Sequence, residues 1–405
     1  MRLTIAILAL LFSISSFGAV LNCDGSVSDT QAKMNSAVTS DTVLFPLNGS
    51  FTWASGVTMT TDKGFTIDLN GSTVLRGSGN SSVLFDINPP GVTVITNRIT
   101  NGTLNQQTFN TGFLYAIQES GVFTNSWYRV DHITILVDPT TSSGVTSLSI
   151  NAAWGCIDHC NFSAPKNSEQ VHNYGWGGSN GTNGWLDVVV PGTIWAVVFE
   201  DCAFTNNDTG TSFLGNSASQ SYYGARIVVR HCKFWDSQID FHGGASASQV
   251  GTRWWEIYLN DWYLAASENQ DRYLAIRAGS GYVWSNTQHG TDLGAGNIDF
   301  ALEGDSPVWH AGQGGPLTGG ITPILVPCYC WSNSAGMNVT WDSNMVPGSA
   351  PGGSVNLVTN TPASYTPLIY PHPFVSNNST INGYSGSSSG FNGNVGGSGV
   401  FGIGQ

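Results

Sequence analysis

One short pattern returns through the middle of the chain and leaves few folds open to it. It reads Val130-Asp131-His132-Ile133-Thr134-Ile135, Ile157-Asp158-His159-Cys160-Asn161-Phe162, Phe199-Glu200-Asp201-Cys202-Ala203-Phe204 and Val229-Arg230-His231-Cys232-Lys233-Phe234. Each copy sets an apolar residue before a charged one, then His or Asp, a small or apolar residue, a variable position and a large apolar residue. Ile257-Tyr258-Leu259-Asn260-Asp261-Trp262 and Val283-Trp284-Ser285-Asn286 are looser copies. With the fourth position as marker the copies fall at residues 133, 160, 202, 232, 260 and 286, in steps of 27, 42, 30, 28 and 26. Short β-branched strands at a near-constant interval, separated by Gly, Asn and Ser, are what a solenoid of stacked parallel rungs requires. The 42-residue step needs an insertion, for which residues 171–183 are the natural place.

Stacking sorts the side chains. Equivalent residues of successive rungs form columns, and the inward columns must be apolar. Cys160, Cys202 and Cys232 are expected to stack inside as free thiols, with Phe162, Phe204 and Phe234 beside them. Alternation turns Ile227, Val229, Trp255 and Ile257 inward, and Val228, Arg230, Glu256 and Tyr258 outward. For the Cys and Phe columns to face inward as well, a turn at the second and third positions must reset the alternation. Near the N-terminus an amphipathic stretch at 30–38 precedes short strands at 42–45, 65–69 and 83–87, and is expected to cap the open end of the core. With 50 glycines and only 10% charged residues, the composition suits an elongated β protein with many turns.

Met1-Arg2, an apolar run from Leu3 to Phe12 interrupted only by Thr4, and a Ser-rich stretch read as a signal peptide over residues 1–19. A bulky Val20-Leu21-Asn22 before Cys23 argues against lipid attachment. The expected layout is one β-helix domain over 20–375, then a Ser-, Asn- and Gly-rich flexible tail over 376–405, with a secreted, extracellular product. Just before the tail, Tyr365 to Pro373 is aromatic and Pro-rich, and is expected to pack back along the solenoid. Loss of Arg2 would take the formal charge from −13 to −14, which disfavours a nucleic-acid-binding surface. No later apolar run is long enough to cross a membrane. Cys328 and Cys330 lack a second ligand pair and read as structural rather than zinc-binding.

The residues that carry a family likeness are Asp41-Thr42-Val43-Leu44-Phe45-Pro46 followed by Gly49 and Thr52, then Asp68-Leu69-Asn70-Gly71, and the repeated rung itself. Together they resemble the pectin lyase-like superfamily over roughly 24–375, which implies an all-β, right-handed parallel β-helix with an N-terminal cap. Gly251 to Tyr258, Ile276 to Gly281 and Tyr370-Pro371-His372-Pro373 are similar to a subgroup of secreted bacterial β-helix proteins that brings no reaction with it. The superfamily holds polysaccharide lyases and hydrolases, phage tailspikes and non-catalytic adhesins, so the resemblance implies a fold more than a chemistry. The chain matches neither the aspartate pair of polygalacturonases in its family context nor the full calcium-and-arginine set of pectate lyases.

Two constellations are candidates for chemistry. The first is an outward column of Asp131, Asp158, Glu200 and Arg230, continued by Tyr258 and Trp284, beside a turn column of His132, His159, Asp201 and His231. Rung spacing sets neighbouring carboxylates about 5 Å apart, the separation of a retaining glycosidase, and alternate ones near that of an inverting one. The same oxygens suit a calcium ion, with Arg230 or a His as the base of a lyase. Stacked like charges repel unless compensated, and polar corner residues also bond to neighbouring backbone. The second constellation is Asp240 and His242 with Arg253, Glu256 and, one coil on, Arg277. It would suit an acidic sugar if 239–244 aligns with 274–279, whereas Arg253 and Glu256 would otherwise be a surface ion pair. Fourteen Trp residues hint at sugar contact, with Trp176, Tyr258 and Trp284 as expected binding residues. The expectation is a protein that binds and cleaves an extracellular polysaccharide as lyase or hydrolase. The alternative is a non-catalytic structural or adhesion module.

Overall fold

The computed structural model describes residues 18–59, 63–77, 83–87, 96–106, 115–117, 127–137, 146–151, 153–164, 169–175, 189–206, 217–243, 250–263, 273–289, 297–300, 311–313, 315, 317–318, 322–323, 326–341 and 357–376. Most of the expected signal peptide, Trp176 and the expected tail beyond residue 376 lie outside the described residues.

The chain is an all-β solenoid. Among the described residues its strands form one sheet of 19 and a second of 10, both parallel, and antiparallel pairing occurs where Leu317–Thr318 meets Thr322–Pro323 and at the single bridge Gly279–Gln313. A typical coil gives the large sheet two short strands and the second sheet one, as in Trp154–Asp158, Asn161–Ala164 and Glu169–Tyr174, while Thr96–Gln106 and Trp127–Val137 each run through both positions as one strand. The large sheet therefore consists of two columns meeting at a corner. The rung register follows the sequence repeat: Val130, Ile157, Phe199, Val229, Ile257 and Val283 are successive partners, and Cys330 extends the series by one coil. The long step is built differently from expectation. Residues 171–174 belong to the regular strand Glu169–Tyr174, so the extra chain follows that strand, and its described part, 189–196, lies over the outside of the first column.

The corner explains how both columns face inward. His132, His159, Asp201, His231, Leu259, Ser285 and Ser332 all take left-handed backbone, with φ between 52° and 57°. One left-handed residue breaks the two-residue alternation, so Ile157 and Cys160 both point inward although two residues lie between them. A non-glycine residue held this way costs on the order of 1–2 kcal/mol, which neighbouring hydrogen bonds must offset. In the upper coils the thiols of Cys160 and Cys202 reach the carbonyls of Val130 and Ile157 at 3.5 and 3.4 Å. In the lower coils the same column holds asparagines: Asn260 and Asn286 donate Nδ2 to Val229 and Ile257 at 2.9 and 3.0 Å, and their Oδ1 atoms accept from the backbone of Cys232 and Asn260. All seven cysteines are free and buried.

Beside this column the rings of Phe162, Phe204, Phe234 and Trp262 stack at 4.8, 5.1 and 4.5 Å, close to the strand spacing. At the N-terminal end the helix Val27–Ser36 is capped by Ser26, whose Oγ accepts from Asp29 N–H at 3.2 Å. The helix buries Met34 against the interior core, and Gln31 clamps the backbone of Thr58 through both amide atoms at 2.8 Å. Among the described residues no helix is long and apolar enough to cross a membrane.

Removing one ring from the stack leaves a void that rigid rungs cannot close. Phe204→Ala should therefore lower unfolding stability by about 3–5 kcal/mol in a denaturant titration. Asn286→Ala, which strips partners from buried corner groups, should cost about 1–3 kcal/mol in the same measurement.

Candidate functional sites

The first sequence-predicted column comes together in register, with Asp131 beside Asp158, Asp158 beside Glu200, and Glu200 beside Arg230. The open groove expected over it is filled. Asp131, Asp158, Glu200 and Arg230 are each 0% exposed, and Tyr258 is buried with them. Residues 365–375 run over the column as a strap, and Ile194, Trp195 and Ala196 cover it beside them. Leu368 and Phe374 close an outer apolar cluster with Trp127, Trp154, Cys156, Val198, Val228 and Tyr258, separate from the interior core. Trp284 is half-buried, its ring stacked between Tyr258 at 4.6 Å and Trp331 at 5.7 Å, so both its faces are occupied.

Each carboxylate has a guanidinium. Arg98 forks onto Asp131 through two contacts of 2.6 Å, and Arg129 onto Asp158 at 2.8 and 2.9 Å. Arg230 meets Glu200 Oε2 at 2.7 and 3.0 Å. The strap completes the set: Phe374 O accepts from Arg129, Leu368 O and Ile369 O accept from Arg230, and His372 N–H donates to both oxygens of Glu200 at 2.9 and 3.1 Å. Arg98 and Arg129 were missed in the sequence because each precedes its partner by about one coil. Burial alone would raise Asp131, but the hydrogen bonds and charge of Arg98, with Arg129 behind, hold it below the usual carboxylate range. Burial raises Glu200 despite Arg230 and the strap N–H.

Asp131, His132 and Asp158 bring ligand atoms within 4.8 Å of one another, yet the set does not fit calcium. Both carboxylates are already matched by arginines, and Arg129 also lies 3.4 Å from Asp131. A divalent ion there would face two guanidinium charges, and one of its ligands would be an imidazole rather than the hard oxygen it prefers. His132 and His159 instead direct Nδ1 onto Asp131 and Asp158 at 2.9 and 3.0 Å, and their rings stack at 5.0 Å.

The second constellation divides. The register aligns Ile239, Asp240 and Phe241 with Leu274, Ala275 and Ile276, which places His242 beside Arg277. Arg277 Nη2 approaches His242 Nε2 at 2.6 Å, its Nε donates to Asp240 at 3.0 Å, and His242 Nε2 lies 3.2 Å from Asp240. Burial would raise Asp240, but His242 and Arg277 hold it well below its usual value. Tyr222, which the sequence reading missed, stacks on His242 at 4.3 Å and extends this face of the second sheet toward Tyr174. Glu256 sits elsewhere, on the first column beneath the strap. It accepts from Tyr365 Oη at 2.6 Å, Gly192 N–H at 2.9 Å and Trp254 Nε1 at 3.3 Å, and burial pushes its pKa up. Arg253 is buried at the turn that enters the first column, its N–H on Ala225 O at 3.0 Å. The surface pair Arg253–Glu256 is therefore replaced by two buried residues with separate duties.

An open groove of about 490 Å³ lies on the corner side of the strap, missed because Tyr370 and Trp235 meet only in the fold. Ala203, between Asn161 and Lys233 on flanking rungs, leaves the space. Tyr370 forms one wall, its ring 4.1 Å from His231 and its hydroxyl on Asp201 at 3.0 and 3.1 Å. Trp235 forms the other. Its one face stacks on Tyr263 at 5.2 Å, so its second face turns toward the small Thr205 of the preceding rung, and Trp235 lines the groove. Tyr263 in turn stacks on His289 at 4.6 Å, continuing the strip along the second column. Comparison with protein families, with curated proteins and with solved structures finds no match for this chain.

Because Asp131 is held below its unfolded value, its stabilising contribution is present above the ordinary aspartate pKa of about 3.9 and disappears as the pH falls through the folded value. Thermal melts of Asp131→Asn across acidic pH should lack that part of the acid-side slope. At neutral pH the variant, with Arg98 left without its carboxylate, should be less stable by about 3–5 kcal/mol.

Proposed function

We propose that this chain is an exported polysaccharide-binding β-helix that holds a glycan along the outside of its second column. The observation that carries the reading is the ring of Trp235 at the edge of the groove, stacked on Tyr263 on one side and with no ring on its other side among the described residues. An aromatic face with polar groups around it is what a pyranose ring, apolar on its faces and hydroxylated at its rim, can stack on. Asn161, His159, Asp201 and Lys233 surround the face with donors and acceptors, and the strip through Tyr263 and His289 runs in the direction of the rungs. The remaining rings of that strip stack on one another and offer their edges, which suits hydrogen bonding to hydroxyls.

A right-handed coil belongs to the same proposal, since parallel strands joined by crossovers wind that way in about 98% of cases. So do the pectin lyase-like identity, extracellular placement after loss of residues 1–19, and a capping role for the helix Val27–Ser36. Burial of Met34 against the core supports the last.

Binding is favoured over cleavage because the carboxylates of the first column are buried and paired as they stand. Cleavage is kept as a second reading on one observation, the convergence of Asp240, His242 and Arg277 on the second sheet.

Purified protein is titrated with a panel of uronic-acid and neutral polysaccharides while reducing ends and unsaturated products are followed together. The binding reading expects retention of at least one polymer, no product in either channel, and about tenfold or greater loss of affinity in Trp235→Ala. Turnover that Asp240→Asn abolishes with binding retained would replace it by the cleavage reading. Failure to bind any polymer of the panel counts against both.

A further inference from the structure

The outer face of the first column is contacted as a ligand would contact it, and the occupant is the chain itself. Three carbonyls of the strap, from Leu368, Ile369 and Phe374, sit on Arg230 and Arg129. The backbone N–H of His372 and the hydroxyl of Tyr365 sit on Glu200 and Glu256. Most of these are backbone groups, so the contact reads the charges of the column through oxygen acceptors and simple donors.

The strap is also separable in energetic terms. Residues 365–376 add no strand to either sheet, and the apolar groups they cover form a cluster apart from the interior core. The phenylalanine stack, the asparagine ladder and the strand pairing stand complete without them. Such an element opens at a lower free energy than the body it rests on. At its middle the side chains of Ile369 and Tyr370 reach solvent, 69% and 48% exposed.

We propose that residues 365–376 are a displaceable strap closing a charged cleft on the first column, and that polysaccharide competes with the strap for that cleft. The competition rests on the binding reading above; the opening does not. Lifting the strap bares Glu200 with Arg129 and Arg230, bordered by Trp127 and Trp154, and frees one oxygen of Glu256, whose other oxygen keeps its bond to Gly192. It leaves two guanidinium groups short of acceptors and two carboxylates short of donors. A hydroxyl-rich chain supplies both kinds of partner, so each conformation has its own way of satisfying the column.

Cys156 provides the readout. It is buried in the outer cluster beneath the strap, whereas Cys160, Cys202 and Cys232 are buried in the interior. The full-length native protein is exposed to a small thiol reagent, and modification of each cysteine is timed by peptide mass. The expected result is that Cys156 reacts about tenfold or more faster than the interior three, and that Phe374→Ala accelerates Cys156 alone. Leu368→Ala serves as the second strap variant should Phe374→Ala fold poorly. Reaction of all four thiols in step, in the native protein and in the variant, would mean that the strap leaves only on global unfolding and would overturn the proposal. For the competition, the strap variant and its parent are compared in a Trp235→Ala background, which removes the groove that Tyr370 walls, and Phe374→Ala is expected there to bind the retained polysaccharide about tenfold more tightly, because the strap no longer contests the cleft. Unchanged or weaker binding by a variant whose Cys156 is accelerated would overturn the competition and leave the opening. Selective Cys156 reaction with no polymer bound by either protein would uphold the strap and count against the binding reading instead.

Discussion

Parallel pairing in register at a fixed rung spacing governs everything else in this protein, because it sets each side chain against its equivalents above and below with no freedom to slide past them. Like then meets like. For phenylalanines and asparagines the repetition is favourable, and the interior is built from it: Phe162, Phe204 and Phe234 stack, and Asn260 and Asn286 hand hydrogen bonds from rung to rung. For charges the same repetition is hostile. Asp131, Asp158 and Glu200 in one column would repel across each rung, and the fold compensates each with a guanidinium from a neighbouring coil and then seals the set from water.

The two outer faces of the large sheet consequently differ in kind. On the first column, polar side chains are spent on one another and on the strap. On the second, Ala203 interrupts a column of larger side chains and the small Ser163 and Thr205 precede Trp235 in the next, which leaves a groove with hydrogen-bonding groups between Tyr370 and Trp235. Tyr370 belongs to both, since the segment that covers one face also walls the groove on the other. Any motion of the strap would therefore alter both surfaces together.

His132 and His159 are not free imidazoles on a turn; each is tied through Nδ1 to the carboxylate that precedes it, which helps offset the cost of its backbone conformation. Thus Asp131 and Asp158 serve the corner and the ion-pair column at once. Such double use is why a carboxylate repeated in a solenoid need not mark a reacting centre.

By itself the sequence determined the rung, the register and the sorting of side chains into inward and outward columns, because these depend on a pattern confined to each coil. The markers at residues 133 to 286, the inward cysteines and phenylalanines, the turn that resets alternation, the alignment of His242 with Arg277 and the docking of Tyr365 to Pro373 were all legible there. Which outward columns meet solvent was decided only by the tertiary structure. His372 meets Glu200 across 172 positions of sequence, and Gly192 meets Glu256 across 64. Alternation tells a residue to leave the core, but whether water or another segment waits outside depends on chain that returns from far away, and no local period encodes that return.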